Sequence, residues 1–329
     1  MKKNKFTAIL LSLSLLTASF TGCQKETKPI SKSGVLLNTS ITVTIYDSND
    51  TKLLDEAFEM INKYDSMFSR TNKDSEIYKL NESGKATLSD DTVEVIKLGL
   101  QYSESTKGAL DISVEPITAL WNFTSENPKV PDNEKLQAAL SHVNYKNITI
   151  NGNEVTLNDT EGGIDLGAIA KGYIGGKVES FLRSKGVKSA VLSLGGNIVC
   201  IGSKPDGKPF TVGLQDPFED RNVYSEKVSV SNKSVVTSGT YERYFEENGK
   251  KYHHILDTKT GYPYENGIVA VSIICDDAII SDALSTVVFT LGIQEGINYI
   301  NEVDNAECMI IENNGTRHYS NNFEKYLVK

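Results

Sequence analysis

Cysteine is scarce in this 329-residue chain, at four in all, and no two stand at CxxC spacing. That argues against a zinc ribbon or a disulfide framework, and the apolar settings of Cys200, Cys275 and Cys308 mark them as buried free thiols. Histidine is equally rare at four, and tryptophan occurs once, at Trp121. No Pro/Gly/Ser-rich linker, internal repeat or low-complexity stretch interrupts Leu36 to Lys329, so the chain is not a string of modules. Positive charge is also short. The formal net charge of −9 argues against nucleic acid as a partner and against electrostatic adhesion to a membrane surface. The apolar stretch Phe6 to Phe20 holds 15 residues, fewer than the roughly 20 that span a bilayer.

What is present at the N-terminus is a targeting pattern. Lys2, Lys3 and Lys5 precede the apolar stretch, and Phe20-Thr21-Gly22-Cys23 resembles a bacterial lipoprotein cleavage site with Cys23 as the lipidated residue. Ordinary secretion with a free Cys23 is the alternative. Residues 1–22 are therefore expected to be a signal peptide, and residues 23–34 a lipidated cysteine and a flexible tether. Removing the signal takes three of the 34 basic residues and none of the 43 acidic ones, leaving a charge of −12. Attachment to the membrane then rests on acyl chains, on the extracytoplasmic face of the cell membrane.

Residues 35–329 are enough for one large domain or two intimately packed lobes. Ser40 to Tyr46 alternates as a half-buried strand, and Asp50 to Phe68 places Leu54, Phe58, Ile61 and Tyr64 at helical spacing. Val93–Tyr102, Asp277–Leu291 and Gln294–Val303 also read as helices, as does the run to Val143 that opens behind Asp132 as an N-cap. Strands are expected at 148–150, 154–157, 191–194, 228–230, 267–275 and 308–311. Their irregular alternation with helices suggests an α+β domain rather than a doubly wound sheet.

The chain centres on Asp165-Leu-Gly-Ala-Ile-Ala-Lys-Gly-Tyr173, between a strand and a helix that reads on to Leu182. Glycines at 162, 163, 167 and 172 permit positive φ or close approach, the helix start presents free N–H groups, and Lys171 adds a cation. Together these suit a phosphate-bearing ligand; a glycine-rich turn with a surface lysine is the plain alternative. Asp282 and Thr286 lie one helical turn apart on one face, and such a carboxylate–hydroxyl pair suits a hard cation such as Mg2+, although most pairs of this kind are only helix surface. Adjacent His253 and His254 point to opposite faces of a strand, so at most one of them faces a site for proton transfer.

Five stretches recur in an order and wording that resemble the FAD:protein FMN transferase family, also called the ApbE or flavin-trafficking lipoprotein family. They are Lys107-Gly-Ala-Leu-Asp-Ile-Ser, the Asp165–Tyr173 loop, Ser193-Leu-Gly-Gly-Asn197, His253-His-Ile-Leu-Asp257 with Thr260-Gly261, and Ser281-Asp-Ala-Leu-Ser-Thr286. The resemblance covers about Leu36 to the C-terminus. It implies an ApbE-like, T-fold-related domain with a flavin pocket between its lobes. It implies that Asp282, Thr286 and the carbonyl of Ala168 hold Mg2+, and that FAD is the substrate. It implies that His254 is the proton acceptor, that Asp111, Lys171 and His254 contact the flavin nucleotide, and that Gly195, Gly196 and Asn197 form a backbone wall. Asp257 and Thr260-Gly261 are implied only as pocket-forming, and Trp121 reads as core or rim more than as a stacking group.

The implied reaction moves FMN from FAD to a Ser/Thr hydroxyl of a flavin-carrying protein of a membrane or extracellular electron-transfer system, releasing AMP. Hydrolysis of FAD to FMN and AMP, a non-catalytic flavin-binding lipoprotein and a solute-binding lipoprotein are the rivals. Three positions depart from the family pattern: Leu37-Asn38-Thr39 stands where Met-Gly-Thr is frequent, Thr71 replaces an aromatic, and Gly176 replaces an acid.

Overall fold

A computed structural model describes residues 28–221 and 223–329. The signal peptide and Cys23 lie outside the described residues. The centre is an eight-stranded sheet, antiparallel throughout, whose strands run in spatial order Ile30–Leu36, Thr39–Ile45, Ser189–Leu194, Asn197–Gly202, Lys233–Gly239, Ile268–Cys275, Ala306–Glu312 and Arg317–Tyr319. Strand Ile268–Cys275 explains the sheet's layering. Val271, Ile273 and Cys275 face one apolar cluster, whereas Ala270 and Ile274 face another. Both faces are covered at its middle, which is why its sequence is apolar without alternation.

Helices Lys52–Phe68, Ala170–Ser184, Ala278–Leu291 and Ile293–Asn301 cover one face, and the hairpin Phe210–Gln215/Tyr224–Val230 covers the other. A three-stranded sheet of Lys85–Thr87, Glu154–Leu157 and Ile148–Asn151 forms a smaller part. Its Ile148, Val155 and Leu157 belong to the same apolar cluster as Ile41 and Leu194 of the large sheet, so one core runs through both. This is the α+β class, built as a single domain.

Asp132 caps its helix as expected, and Asp277, read as the first residue of its helix, is that helix's N-cap. Asp132 accepts from Glu134 N–H and Lys135 N–H at 3.1 Å each, and Asp277 accepts from Ile279 N–H at 2.8 Å. One boundary differs. Ile30–Ser33, expected within the tether, pair residue by residue with Thr42–Ile45. The strand's backbone bonds and half-buried apolar side chains order a segment whose Ser and Lys content hides it. Cys200, Cys275 and Cys308 are free and buried, and burial pushes their thiols up to about 12, 11 and 12. They are packing residues with little thiolate character. No helix among the described residues is long and apolar enough to cross a membrane.

Candidate active site

The Asp165–Tyr173 loop is held from both sides. The amide of Asn81 pairs with the backbone of Ile164, donating to its carbonyl at 3.0 Å and accepting from its N–H at 2.8 Å. Asp165 is the knot. One carboxylate oxygen accepts from Gly167 N–H at 2.8 Å, and the other takes the Thr118 hydroxyl at 2.8 Å and Arg70 Nε at 3.0 Å. Of the two uses the sequence allows Gly162, Gly163, Gly167 and Gly172, positive φ is taken up by none of the four. Gly163 and Gly172 serve close approach instead. A Cβ on Gly163 would lie 2.7 Å from a Glu115 carboxylate oxygen, and one on Gly172 would lie 2.7 Å from Asp282 Cβ.

That second approach brings two distant motifs together. The Ala170–Ser184 and Ala278–Leu291 helices cross at Gly172 and Gly176, where a Cβ on Gly176 would sit 2.4 Å from Ile279 Cγ1. An acidic side chain at 176 therefore has no room here. At the crossing, Asp282 is 3 % exposed. Its Oδ2 accepts from Gly172 N–H at 3.1 Å, and Lys171 Nζ lies 3.2 and 3.4 Å from its two oxygens. The helix start thus satisfies a protein carboxylate, not the free N–H cradle expected from the sequence. Gly172 N–H would ordinarily close the first turn onto the Ala168 carbonyl. Because it turns to Asp282, that carbonyl has no backbone donor among the described residues. Thr286, half-buried one turn along, makes no side-chain hydrogen bond among the described residues, whereas neighbouring Ser285 is committed to the Asp282 carbonyl and Ser238, both at 2.7 Å. A carbonyl, a carboxylate and a hydroxyl with spare acceptor capacity form a donor set that fits a hard divalent cation.

His254 follows the strand Lys250–His253. Its backbone N–H and Nδ1 both lie on the Arg243 carbonyl, at 3.1 and 3.2 Å. A carbonyl only accepts, so Nδ1 carries the proton and Nε2 keeps its lone pair. Burial, with the cations Arg243 and Lys171 adding to it, pushes the imidazole down to about 3. It is neutral at physiological pH. His253 points the other way: Nε2 donates to the Tyr264 carbonyl at 3.0 Å, Nδ1 accepts from Ile255 N–H at 3.3 Å, and the ring packs edge-on against Phe289. Both its nitrogens are occupied within the fold.

Glu242 and Arg243 belong to the site's surroundings but stand in none of the five motifs. Burial raises the Glu242 carboxyl, while Arg221, Lys171 and Arg243 oppose the rise. Lys171 and Arg243 act on His254 as well, so two cations flank the imidazole in an acidic chain, and a Glu-Arg pair after the Lys233–Gly239 strand is the sign the sequence offers.

A profile of the ApbE family matches residues 37–310. The chain belongs to the ApbE family. Its curated relatives include proteins described as FAD:protein FMN transferase from Klebsiella pneumoniae (strain 342), 30% identical over 88% of this chain and 91% of that one, and from Vibrio cholerae, 30% identical over 97% and 98%. Solved structures that superpose include the ApbE protein of Thermotoga maritima, with TM-score 0.85 and 30% identity over 92% of this chain and 100% of that one. The flavin transferase ApbE of Vibrio cholerae superposes with TM-score 0.82 and 26% identity over 91% and 99%.

The remaining ApbE-type positions are spread around this centre. Gly195 and Gly196, with φ of 58° and 94°, form a two-residue hairpin turn beside that of Leu37 and Asn38, both at φ 55°. Thr39 occupies the space a Cβ on Gly195 would need, at 2.3 Å. The Asn197 amide Nδ2 is buried with no partner among the described residues, an orphan donor that a polar ligand would satisfy. Asp111 makes no direct contact with the Lys171–Asp282 pair. Its carboxylate accepts from the Ser113 N–H and hydroxyl at 2.8 and 2.6 Å and from Tyr145 N–H at 3.1 Å, while burial raises it. Trp121 is core: it is fully buried, stacks on Phe123, and donates Nε1–H to the Gly261 carbonyl at 2.7 Å. Thr71 is exposed and offers no stacking surface.

Proposed function

We propose that this ApbE-family flavin transferase moves the FMN half of FAD onto a Ser/Thr hydroxyl of an extracytoplasmic acceptor protein, releasing AMP. The observation that carries the reading is the Lys171–Gly172–Asp282 junction with the freed Ala168 carbonyl beside it. Ala168, Asp282 and Thr286 would hold Mg2+, which when bound neutralises charge on the pyrophosphate. Lys171 and Arg243 supply positive potential for the same dianion. The acceptor oxygen attacks the FMN phosphorus, a new P–O bond forms as the phosphoanhydride bond to AMP breaks, and the hydroxyl proton passes to His254 Nε2. Bringing the pyrophosphate beside His254 offsets Arg243 and Lys171, so substrate binding itself raises the basicity of the imidazole.

Incubation with FAD, Mg2+ and the envelope proteins of the source organism should yield one or more covalently flavinylated bands by in-gel fluorescence. Fast FMN and AMP release with no covalent flavin on any protein would reassign the chain as an FAD pyrophosphatase. Lipidation at Cys23 would hold the enzyme on the extracytoplasmic side of the membrane, beside acceptors of electron-transfer systems. Cys23→Ala should then move it from the membrane pellet to the soluble fraction, or leave it uncleaved. A variant that sediments and migrates like wild type would rule out the anchor.

A further inference from the structure

The strands Tyr244–Glu247 and Lys250–His253 form a two-stranded sheet of their own, so Lys250–His253 is paired along one edge only. Asn248 and Gly249 join them with φ of 52° and 76°, a two-residue type I′ turn. Such a turn makes Glu247 and Lys250 a hydrogen-bonded pair, and alternation then directs the N–H and C=O of Lys251 and His253 away from the partner strand. No backbone partner takes up these outward groups among the described residues.

Facing that free edge is the segment 262–266. The two run together at Ile255, whose carbonyl accepts from Tyr264 N–H at 3.0 Å, and then diverge. Between them lies a trough of about 540 Å3, continued by one of about 370 Å3 that ends at Thr240 and Asn313. The far wall is pinned by Trp121 to the Gly261 carbonyl and by Asn266 Nδ2 to the Phe289 carbonyl, both at 2.7 Å. Tyr252, Tyr262 and Tyr264 line it, and Lys250 and Lys251 add positive charge in a chain of net charge −9. Lys250 reaches Glu265 across the mouth at 2.5 Å, with both side chains more than half exposed. Such pairs are weak, and an incoming carboxylate can displace Glu265.

We infer that this trough docks the flavin acceptor by strand addition, an extended segment pairing with the outward groups of Lys251 and His253 and presenting an acidic side chain to Lys250 and Lys251. The inference rests on the transferase reading. Its reason is continuity: His254 directly follows the strand, so a segment paired with Lys251 and His253 at about 3.3 Å per residue ends within a few residues of His254.

Lys251→Pro tests it, because of the backbone groups proline removes only an outward N–H there, proline is tolerated on such edges, and Lys251→Ala reports the loss of the ammonium by itself. The probe is the purified protein that wild-type enzyme flavinylates. The variant should raise KM for that protein at least tenfold, with the FAD Kd and thermal midpoint unchanged, while Lys251→Ala should change KM less. Binding of the probe should slow hydrogen exchange at the Lys251 and His253 amides. A folded Lys251→Pro enzyme that binds FAD and keeps wild-type KM overturns this inference alone. A wild type that flavinylates no protein overturns the transferase reading, and this inference with it.

Discussion

Asp282→Ala should lower AMP release from FAD by about 10²–10³-fold, the scale set by removing a preorganised electrostatic group from a reacting centre. Two interactions end together in that variant, the contact to Lys171 and the acceptor for Gly172 N–H, and with them the carboxylate of the proposed cation site. The first two also hold the helix crossing. Leaving Gly172 N–H buried without a partner costs about 1–3 kcal/mol, so the variant should also melt earlier. Asp282→Asn separates the effects. It keeps an oxygen for Gly172 N–H and should fold nearly as wild type, yet it lacks the charge that attracts the metal. Mn2+ titration followed by electron paramagnetic resonance should show at least tenfold weaker binding in both variants. Full AMP release by Asp282→Ala would remove the metal from this position.

The long helices and the central strand were legible because each carries its period and its cap in consecutive residues, as Asp132 and Asp277 illustrate. The edge strand Ile30–Leu36 was not. Its polar residues alternate too weakly to stand out, and its order comes from a partner strand. The hairpin ending at His253 carries a strong local turn signal in Asn248-Gly249, but its short flanking strands have too few apolar residues to show a period of two.

At the site, residue types were readable and their commitments were not. Lys171 and Asp282 are 111 positions apart, so no window of sequence could reveal that they touch. The glycines of the loop suggested open backbone for a ligand. Their actual use is to admit Glu115 and Asp282, which only the helix crossing and loop packing determine. Similarly, the partner of His254 is a main-chain carbonyl, a group every residue has, so residue 243 carried no mark of that role. Asp111 illustrates the reverse: its conspicuous place in a motif coexists with a carboxylate that already accepts from Ser113 in its own loop and from the distant Tyr145 N–H.

His254→Ala should slow transfer by roughly 10²–10⁴-fold, the usual range for a positioned proton acceptor, while FAD binding persists. His253→Ala should instead lower stability, because it abandons two hydrogen bonds and the Phe289 contact, and leave turnover of the folded fraction nearly intact. Acid denaturation gives a second readout with a definite sign. Folded His254 takes a proton only near pH 3, held down by burial, Arg243, His253 and Lys171, whereas the unfolded chain takes one near the ordinary 6.5. Between those values the unfolded state binds the extra proton, so stability falls as pH drops from about 6.5. His253, also lowered by burial, adds to the same slope. Substituting His254 should therefore reduce the pH dependence of unfolding by up to one proton across that window and leave the contribution of His253 in place. Stability curves of wild type and His254→Ala that run parallel from pH 7 to 4 would mean that His254 is not held neutral in the fold. Equal kinetic losses at positions 253 and 254 would withdraw its assignment as the proton acceptor.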